Sequence, residues 1–142
     1  MNKPITCESG VDAVHEFFTR MSGNCAAVDY DATEPMFAPD VRSFGTKAEV
    51  VVGLDYLREN QWEKIWPNIE GFEIHLDQVY ATADATLAWG MAPWSSTGFN
   101  SDGSSYDRPG RATVILERRG EQWLALHTHF SLAPGTPQQT IR

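Results

Sequence analysis

Two stretches near the C-terminus alternate between apolar and polar residues. The first runs from Arg111 to Glu117, the second from Trp123 to Leu132, and Gly120 lies between them. A period of two places alternate side chains on opposite faces of a sheet, so 108–134 is predicted to form a β-hairpin with a turn at 119–121. One face carries Ala112, Val114, Leu116, Leu124, Leu126, Thr128, Phe130 and Leu132, and the other carries Arg111, Thr113, Ile115, Glu117, Trp123, Ala125, His127, His129 and Ser131.

Helical spacing of apolar residues dominates the N-terminal part of the chain. Ser9 and Asp12 are spaced as in a capping box, and they precede an apolar stripe at Val11, Val14, Phe17, Phe18 and Met21. Asp31 with Glu34 predicts a second, short helix that ends near Phe37. A third helix is predicted from Gly53 to Trp66, because an apolar stripe precedes Pro67, which ends it.

The remaining pattern indicates further strands. A brief strand is predicted over 41–44, alternation continues over 72–77, and a bulge is expected at 78–79. A hairpin turn at 82–84 leads into a strand at 86–94, in which Leu87, Trp89 and Met91 alternate with small residues. The Gly- and Ser-rich segment 95–108 is predicted to be a mobile loop. Helices followed by antiparallel strands indicate an α+β fold, in which a curved sheet around the helices encloses an apolar cavity.

Composition limits the class of protein. The 142 residues are enough for one domain, and the ends at 1–9 and 135–142 are predicted to be flexible. A net charge of −8 argues against nucleic acid or an anionic membrane as a partner. Neither a long apolar run nor a signal-peptide pattern is present, so a cytoplasmic location is expected. Cys7 and Cys25 could pair, but reduced thiols are the commoner state in such a chain.

Several short segments together carry a family resemblance. They are Phe37–Val41 with Phe44-Gly45, Val52–Asp55, Trp66, Ala88-Trp89, Gly110–Thr113, Arg118-Arg119 and Trp123–Ser131. They resemble the nuclear-transport-factor-2-like (NTF2-like, cystatin-like) superfamily in its SnoaL-like branch, and also the association domain of calcium/calmodulin-dependent protein kinase II. The resemblance covers residues 11–134. It implies a cone in which N-terminal helices pack in the concave face of a strongly curved, mostly antiparallel sheet, and a homodimer formed through the outer sheet face.

The family's known polar chemistry is not visible in this sequence. Ketosteroid-isomerase-like members place a general-base Asp on the strand after the second helix, but here no carboxylate follows Asp40 on that strand. The kinase association domain lines its cavity with arginines, whereas the aligned positions here are Met91, Val114 and Phe130. An apolar, aromatic pocket for a small hydrophobic ligand is therefore predicted, lined by Phe17, Tyr30, Leu57, Trp62, Trp66, Trp89, Met91, Val114, Thr128 and Phe130.

The polar candidates are few. His127 and His129 could ligate a metal, with His75 or Glu117 as a third ligand. A similar His-x-His occurs in the kinase association domain, where the resemblance implies no metal, so the two histidines are assigned with Arg111 to a polar face in a dimer interface. Arg111 could alternatively bind an anionic group. His15 and Tyr30 are weak candidates for acid–base residues. No cofactor or metal is expected.

Three functions remain open at this point. The first is a binding domain without assigned chemistry. The second is a cofactor-free isomerase or dehydratase that acts on a polyketide- or steroid-like substrate. The third is an oligomerisation module.

Overall fold

The computed structural model describes residues 3–138 and residue 140, and its helices come mostly before its strands. The helices are α1 (Gly10–Ala27), α2 (Tyr30–Thr33), α3 (Leu54–Leu57) and α4 (Glu63–Ile65), with a π-helical turn at Arg58–Trp62 and 3-10 turns at Glu34–Met36, Trp66–Asn68 and Leu76–Gln78. Ser9 caps α1 as predicted, since its hydroxyl accepts from the Asp12 N–H. The second helix is capped by Asp29, not Asp31. No helix in the described part is long and apolar enough to cross a membrane.

The strands form one mostly antiparallel sheet. They are β1 (Phe37–Phe44), β2 (Val51–Val52), β3 (Glu70–Ile74), β4 (Tyr80–Ala83), β5 (Leu87–Phe99), β6 (Ser105–Asp107), β7 (Gly110–Arg119) and β8 (Gln122–Leu132). The main order is β2-β1-β8-β7-β5-β3, and β4 and β6 also pair with β5. β1 runs parallel to β8, and the other pairs are antiparallel. The predicted hairpin of β7 and β8 is present, with Gly120 at positive φ in its turn.

The helix α1 packs so closely on β5 that only small residues fit between them. A Cβ added to Gly90 would lie 2.3 Å from Val14 Cγ1, and one added to Gly10 would lie 2.9 Å from Ala88 Cβ. Ala88, Gly90 and Ala92 of β5 therefore face the helix, and Leu87, Trp89 and Met91 of the same strand face outward. The predicted positions of Trp89 and Met91 in the cavity are wrong, since these side chains are 41% and 51% exposed on the outer face.

A bulge in β8 reverses part of the predicted facing of the hairpin. Ile115 pairs with His127, but the next residue, Leu116, pairs with Ala125, so Leu126 is an extra residue in β8. Trp123 and Ala125 consequently lie in the core, although the alternation predicted them on the polar face. Beyond the bulge the predicted facing is correct. There Thr128 is buried toward the helices and His129 is exposed.

The Gly- and Ser-rich segment is a strand pair and not the predicted loop. β5 continues to Phe99 and β6 pairs back along it, with Gly98 opposite Tyr106. Directly after β6, the Arg108 N–H donates to the Ser96 carbonyl, and the Ser96 hydroxyl donates to the Arg108 carbonyl. This hairpin fixes the backbone of Arg108 next to the helices.

The N-terminal end is attached to the sheet from residue 5 onward. Ile5 is fully buried and forms a bridge to Trp123, whose N–H donates to the Ile5 carbonyl, so the prediction of a flexible end is wrong there. At the other end, the Thr140 hydroxyl donates to the Asn68 carbonyl and accepts from the Phe99 N–H. The predicted flexibility of residues 1, 2, 139, 141 and 142 concerns positions outside the described residues.

Candidate ligand pocket

A cavity lies between the sheet and the helices, at the end formed by the segment 54–69. The enclosed part of the cavity is small, about 40 Å³, and the empty space including the open mouth is about 490 Å³. Most of its wall is apolar, and its polar groups come from a few side chains. The lining residues are Met21, Cys25, Phe44, Gly45, Thr46, Leu57, Gln61, Trp62, Ile65, Trp66, Ile69, Phe72, Trp94, Arg108, Thr128 and Phe130.

Stacked aromatic rings form one wall of the cavity. The ring centroids of Trp62 and Trp66 are 5.1 Å apart, with 19° between the planes. Tyr30 stacks on Trp66 at 5.4 Å, and Phe37 contacts Trp62 edge-on at 5.0 Å. Such contacts hold large rings in fixed orientations, so the wall is a preformed surface for a flat apolar molecule.

The π-helical turn places Gln61 beside Trp62 in the cavity wall. An i→i+5 turn inserts one extra residue into a helix, and such turns are common at functional sites. The side-chain oxygen Oε1 of Gln61 accepts from the backbone N–H groups of Lys47 and Ala48, at 2.8 and 2.9 Å. The side-chain nitrogen Nε2 of Gln61 donates to Thr46 Oγ1 at 2.9 Å. Gln61 thereby fixes the loop that brings Thr46 to the cavity.

Arg108 brings a positive charge into this otherwise apolar wall. Its side chain is almost fully buried. It donates from Nη2 to Thr46 Oγ1 at 3.1 Å and from Nη1 to Ser96 Oγ at 3.4 Å. Its guanidinium carbon lies 5.5 Å from the ring centre of Trp94. Burial lowers the pKa of Arg108, because a low-dielectric environment disfavours its charged form.

No counter-charge accompanies this arginine in the described part of the chain. The six ion-pair contacts found there involve Arg20, Arg58 and Arg119, and none involves Arg108. Arg108 Nε and Trp94 Nε1 are buried and have no hydrogen-bond partner among the described residues. Buried donors are nearly always satisfied in folded proteins, so these two nitrogens need an explanation.

The predicted pocket residues divide into three groups. Leu57, Trp62, Trp66, Thr128 and Phe130 line the cavity. Phe17, Val114 and Tyr30 do not line the cavity. Phe17 and Val114 are fully buried core residues, and Tyr30 stacks on the far side of Trp66. Trp89 and Met91 are on the opposite face of the sheet. Because Met91 points away from the cavity, its apolar character gives no information about the charge inside.

The two weak catalytic candidates are not in the cavity lining. His15 is exposed on α1, because its position falls on the side of the helix that faces away from the sheet. The Tyr30 hydroxyl has a raised pKa, mainly because of burial and also because Glu63 is near, so the phenol is protonated at neutral pH. Neither residue is placed to exchange a proton with a molecule in the cavity.

The polar face of the hairpin lies on the outer side of the sheet. Arg111 donates from Nε to Ser131 Oγ at 3.0 Å, and His127 Nδ1 lies 2.8 Å from the Arg42 carbonyl oxygen. Both His127 and His129 contact the ring of Phe44 edge-on. Within the described residues, no group of three His, Cys, Asp or Glu side chains is arranged to hold a metal ion.

The sequence did not predict Trp94 and Arg108 in the cavity, although both bring buried polar N–H groups to its wall. Trp94 follows Ala88, Gly90 and Ala92 on the same face of β5, so the row of small residues was a signal for the inward face. Arg108 stands at the end of a polar segment that had the composition of a loop. Without the pairing of β5 and β6, nothing in its sequence context distinguishes it from a surface arginine.

A curved, mostly antiparallel sheet with helices packed at its open end, and a cavity between the sheet and the helices, defines the cystatin-like, NTF2-like class of fold. The family model of the SnoaL-like domain matches residues 14–135, and the chain belongs to this family. The sequence has no significant match among curated proteins.

Solved structures similar to this chain include proteins of different kinds. An NTF2-like superfamily protein from Salmonella enterica is 16% identical, with a TM-score of 0.74 over 90% of this chain and 94% of its own. The CaMKII hub of S. rosetta is 18% identical, with a TM-score of 0.71 over 88% of this chain and 98% of its own. A Streptomyces avermitilis protein provisionally described as a dehydratase is 16% identical, with a TM-score of 0.71 over 89% of this chain and 97% of its own. At these identities, the similarity establishes the fold alone, and the predicted α+β, cystatin-like fold is confirmed. The predicted SnoaL-like family is confirmed by the family model.

Proposed function

We propose that the protein binds a small molecule with an aromatic or similarly flat apolar body in the cavity between its sheet and helices. The observation that carries this proposal is the stacked pair Trp62 and Trp66 in the wall of a cavity that is open to solvent. Apolar cavities with a few fixed polar groups are the usual form of small-molecule sites. The enclosed part of the cavity is only about 40 Å³, so the proposed ligand has one or two rings and lies partly in the open mouth of the cavity.

Binding without acid–base catalysis is the form of this function that the geometry supports best. Among the described residues, no Asp, Glu or His lines the cavity. Asp40, the carboxylate nearest the strand position used by ketosteroid-isomerase-like enzymes, is exposed and forms an ion pair with Arg119 at 3.0 Å. Its hydrogen bond with Arg119 lowers the pKa of Asp40, so this carboxylate is a poor general base. A cofactor-free isomerase or dehydratase therefore remains the weaker alternative.

The test of the pocket uses one apolar residue in the cavity and one outside it. Binding of phenylacetamide and phenylacetate is measured by calorimetry for the wild type, Phe130→Ala and Met91→Ala. Phe130 lines the cavity and Met91 lies on the outer face, so only Phe130→Ala should weaken binding, by several-fold or more. Failure of both compounds to bind the wild type, or equal weakening by the two substitutions, contradicts the proposed pocket.

We also propose that the chain forms a homodimer through the outer face of β4, β5 and β7. Leu87, Trp89 and Met91 from β5 are each more than 40% exposed, and Tyr80 from β4 contacts Trp89 with 5.4 Å between ring centroids. A contiguous apolar patch of this kind on a sheet is typical of a protein–protein interface. Structures similar to this chain include the association domain of the C. elegans CaMKII, which supports self-association of this fold. This interface could serve as the basis of an oligomerisation module as well as of a binding protein.

A further inference from the structure

The guanidinium of Arg108 is the one charged group among the described residues that line the cavity, and a purely apolar ligand would not use it. A charge taken out of water costs free energy unless it is paired, and natural proteins rarely bury an arginine without an acidic partner. Here the partners are neutral groups, namely the hydroxyls of Thr46 and Ser96 and the phenol of Tyr106. Nε of Arg108 and Nε1 of Trp94 have no acceptor among the described residues.

We propose that the natural ligand of this cavity is a small aromatic or hydrophobic carboxylic acid, whose carboxylate is bound by Arg108 with the indole N–H of Trp94 as a second donor. This inference rests on the proposed function of the cavity and adds the charge of the ligand to it. The planar guanidinium matches the two oxygens of a carboxylate, and hydrogen bonds between charged groups are shorter and stronger than neutral ones.

The surroundings of Arg108 favour a single negative charge over a phosphate. Arg108 is the only Lys or Arg among the described residues that line the cavity, so a dianion would retain an unbalanced charge in an apolar site. The aromatic wall of Trp62 and Trp66 lies in the same cavity and would hold the apolar part of the acid. A carboxylate on a one- or two-ring body therefore satisfies the polar and apolar groups together.

Thr46 and Gln61 hold the arginine in place. Thr46 Oγ1 accepts from both the Gln61 amide and Arg108 Nη2, so the loop that Gln61 fixes also orients the guanidinium. The two unpartnered nitrogens are shielded from solvent in this structure. The acid must therefore displace neighbouring side chains slightly when it reaches them, and the half-buried Phe130 at the cavity wall is the residue best placed to move.

The test compares phenylacetate with its neutral amide, phenylacetamide, which has the same shape. Calorimetry is carried out on the wild type, on Arg108→Met and on Arg111→Met. Arg111 is an exposed arginine on the outer face, so its substitution makes the same change in net charge without touching the cavity. The wild type and Arg111→Met should bind the acid at least about tenfold more tightly than the amide. Arg108→Met should lose this preference and bind both compounds equally.

The outcomes separate the two proposals. Equal binding of acid and amide by the wild type overturns the carboxylate inference and leaves the apolar pocket in place, whereas binding of neither compound overturns both. Tighter binding of phenyl phosphate than of phenylacetate would replace the carboxylate with a phosphate. Trp94→Phe keeps an aromatic ring at this position but removes the indole N–H, so it should reduce the preference for the acid several-fold. It also tests the inference if circular dichroism shows that Arg108→Met does not fold.

Discussion

The guanidinium carbon of Arg108 lies 5.5 Å from the ring centre of Trp94, and within the described residues each of these side chains has one buried nitrogen without an acceptor. The pair joins β5 to the connection between β6 and β7. A cation over an aromatic face is stabilised by the ring quadrupole, but this attraction replaces only part of the lost hydration. Without a ligand, the protein therefore carries an energetic cost at the proposed binding site.

Replacement of Arg108 by Met should stabilise the unliganded protein. The substitution removes a buried charge and retains most of the apolar volume. Thr46 and Ser96 keep other hydrogen bonds, since Thr46 still accepts from Gln61 and Ser96 still donates to the backbone carbonyl of residue 108. A gain of roughly 1 kcal/mol is expected, which should raise the Tm by about 3 °C or more in a scanning calorimetry experiment.

Arg111→Met is the matched control for this stability measurement. Arg111 is exposed and bonds to Ser131, so its loss should change stability by less than about 0.5 kcal/mol. A loss of more than about 1 kcal/mol in Arg108→Met would show that Arg108 is a structural residue whose hydroxyl contacts outweigh its desolvation.

The sequence predicts the elements of this fold better than it predicts their faces. Period-two alternation correctly locates β7 and β8, and helical spacing with a Ser9 cap correctly locates α1. The face of each strand depends on tertiary features that the local pattern does not contain. The extra residue Leu126 reverses the first half of β8, and the close approach of α1 turns Trp89 outward.

The candidate site is predictable only in part for the same reason. The helical residues Leu57, Trp62 and Trp66 line the cavity because an apolar helical stripe faces the core in most folds. Arg108 could not be assigned, because its burial depends on the pairing of β6 with β5 across a segment with loop-like composition. A charged residue in such a segment is usually exposed, and the rule fails where a site requires a buried charge.

Gly90→Ala should destabilise the protein, because the helix α1 leaves no space for a methyl group at this position. The added Cβ would lie 2.3 Å from Val14 Cγ1 and 2.8 Å from the Tyr80 carbonyl oxygen. Because one of these neighbours is backbone, relief requires a shift of β4, and a cost of about 1–3 kcal/mol is expected in urea unfolding. In contrast, Gly23→Ala in the exposed interior of α1 meets nothing within 4 Å and should stabilise by about 0.5–1 kcal/mol. Equal effects of the two substitutions would refute the close packing of α1 on β5.

Gln61→Met should loosen the loop that orients Arg108. The substitution preserves the side-chain length but removes the acceptor shared by the N–H groups of Lys47 and Ala48. Two poorly satisfied donors should cost about 2 kcal/mol or more, and hydrogen exchange should accelerate at these two amides. Asn60→Ala is the neighbouring control, because the half-buried Asn60 side-chain amide donates to the Tyr56 carbonyl and, among the described residues, to no backbone group of the 46–48 loop. Unchanged exchange at Lys47 and Ala48 in Gln61→Met would contradict the role given to Gln61.

The outer sheet face gives the last prediction, which concerns assembly. Trp89→Asp places a carboxylate in the centre of the apolar patch formed by Tyr80, Leu87 and Met91. In a dimer this charge would be buried without a partner, so the substitution should convert the dimer to a monomer in sedimentation equilibrium. Tyr56→Asp is the control, since Tyr56 is an aromatic residue of similar exposure that lies on α3 and not on the sheet. A monomeric wild type would contradict the proposed dimer. A dimer that persists in Trp89→Asp would show that the interface lies on another surface. Retention of phenylacetate binding by monomeric Trp89→Asp would further show that the cavity is complete within one chain.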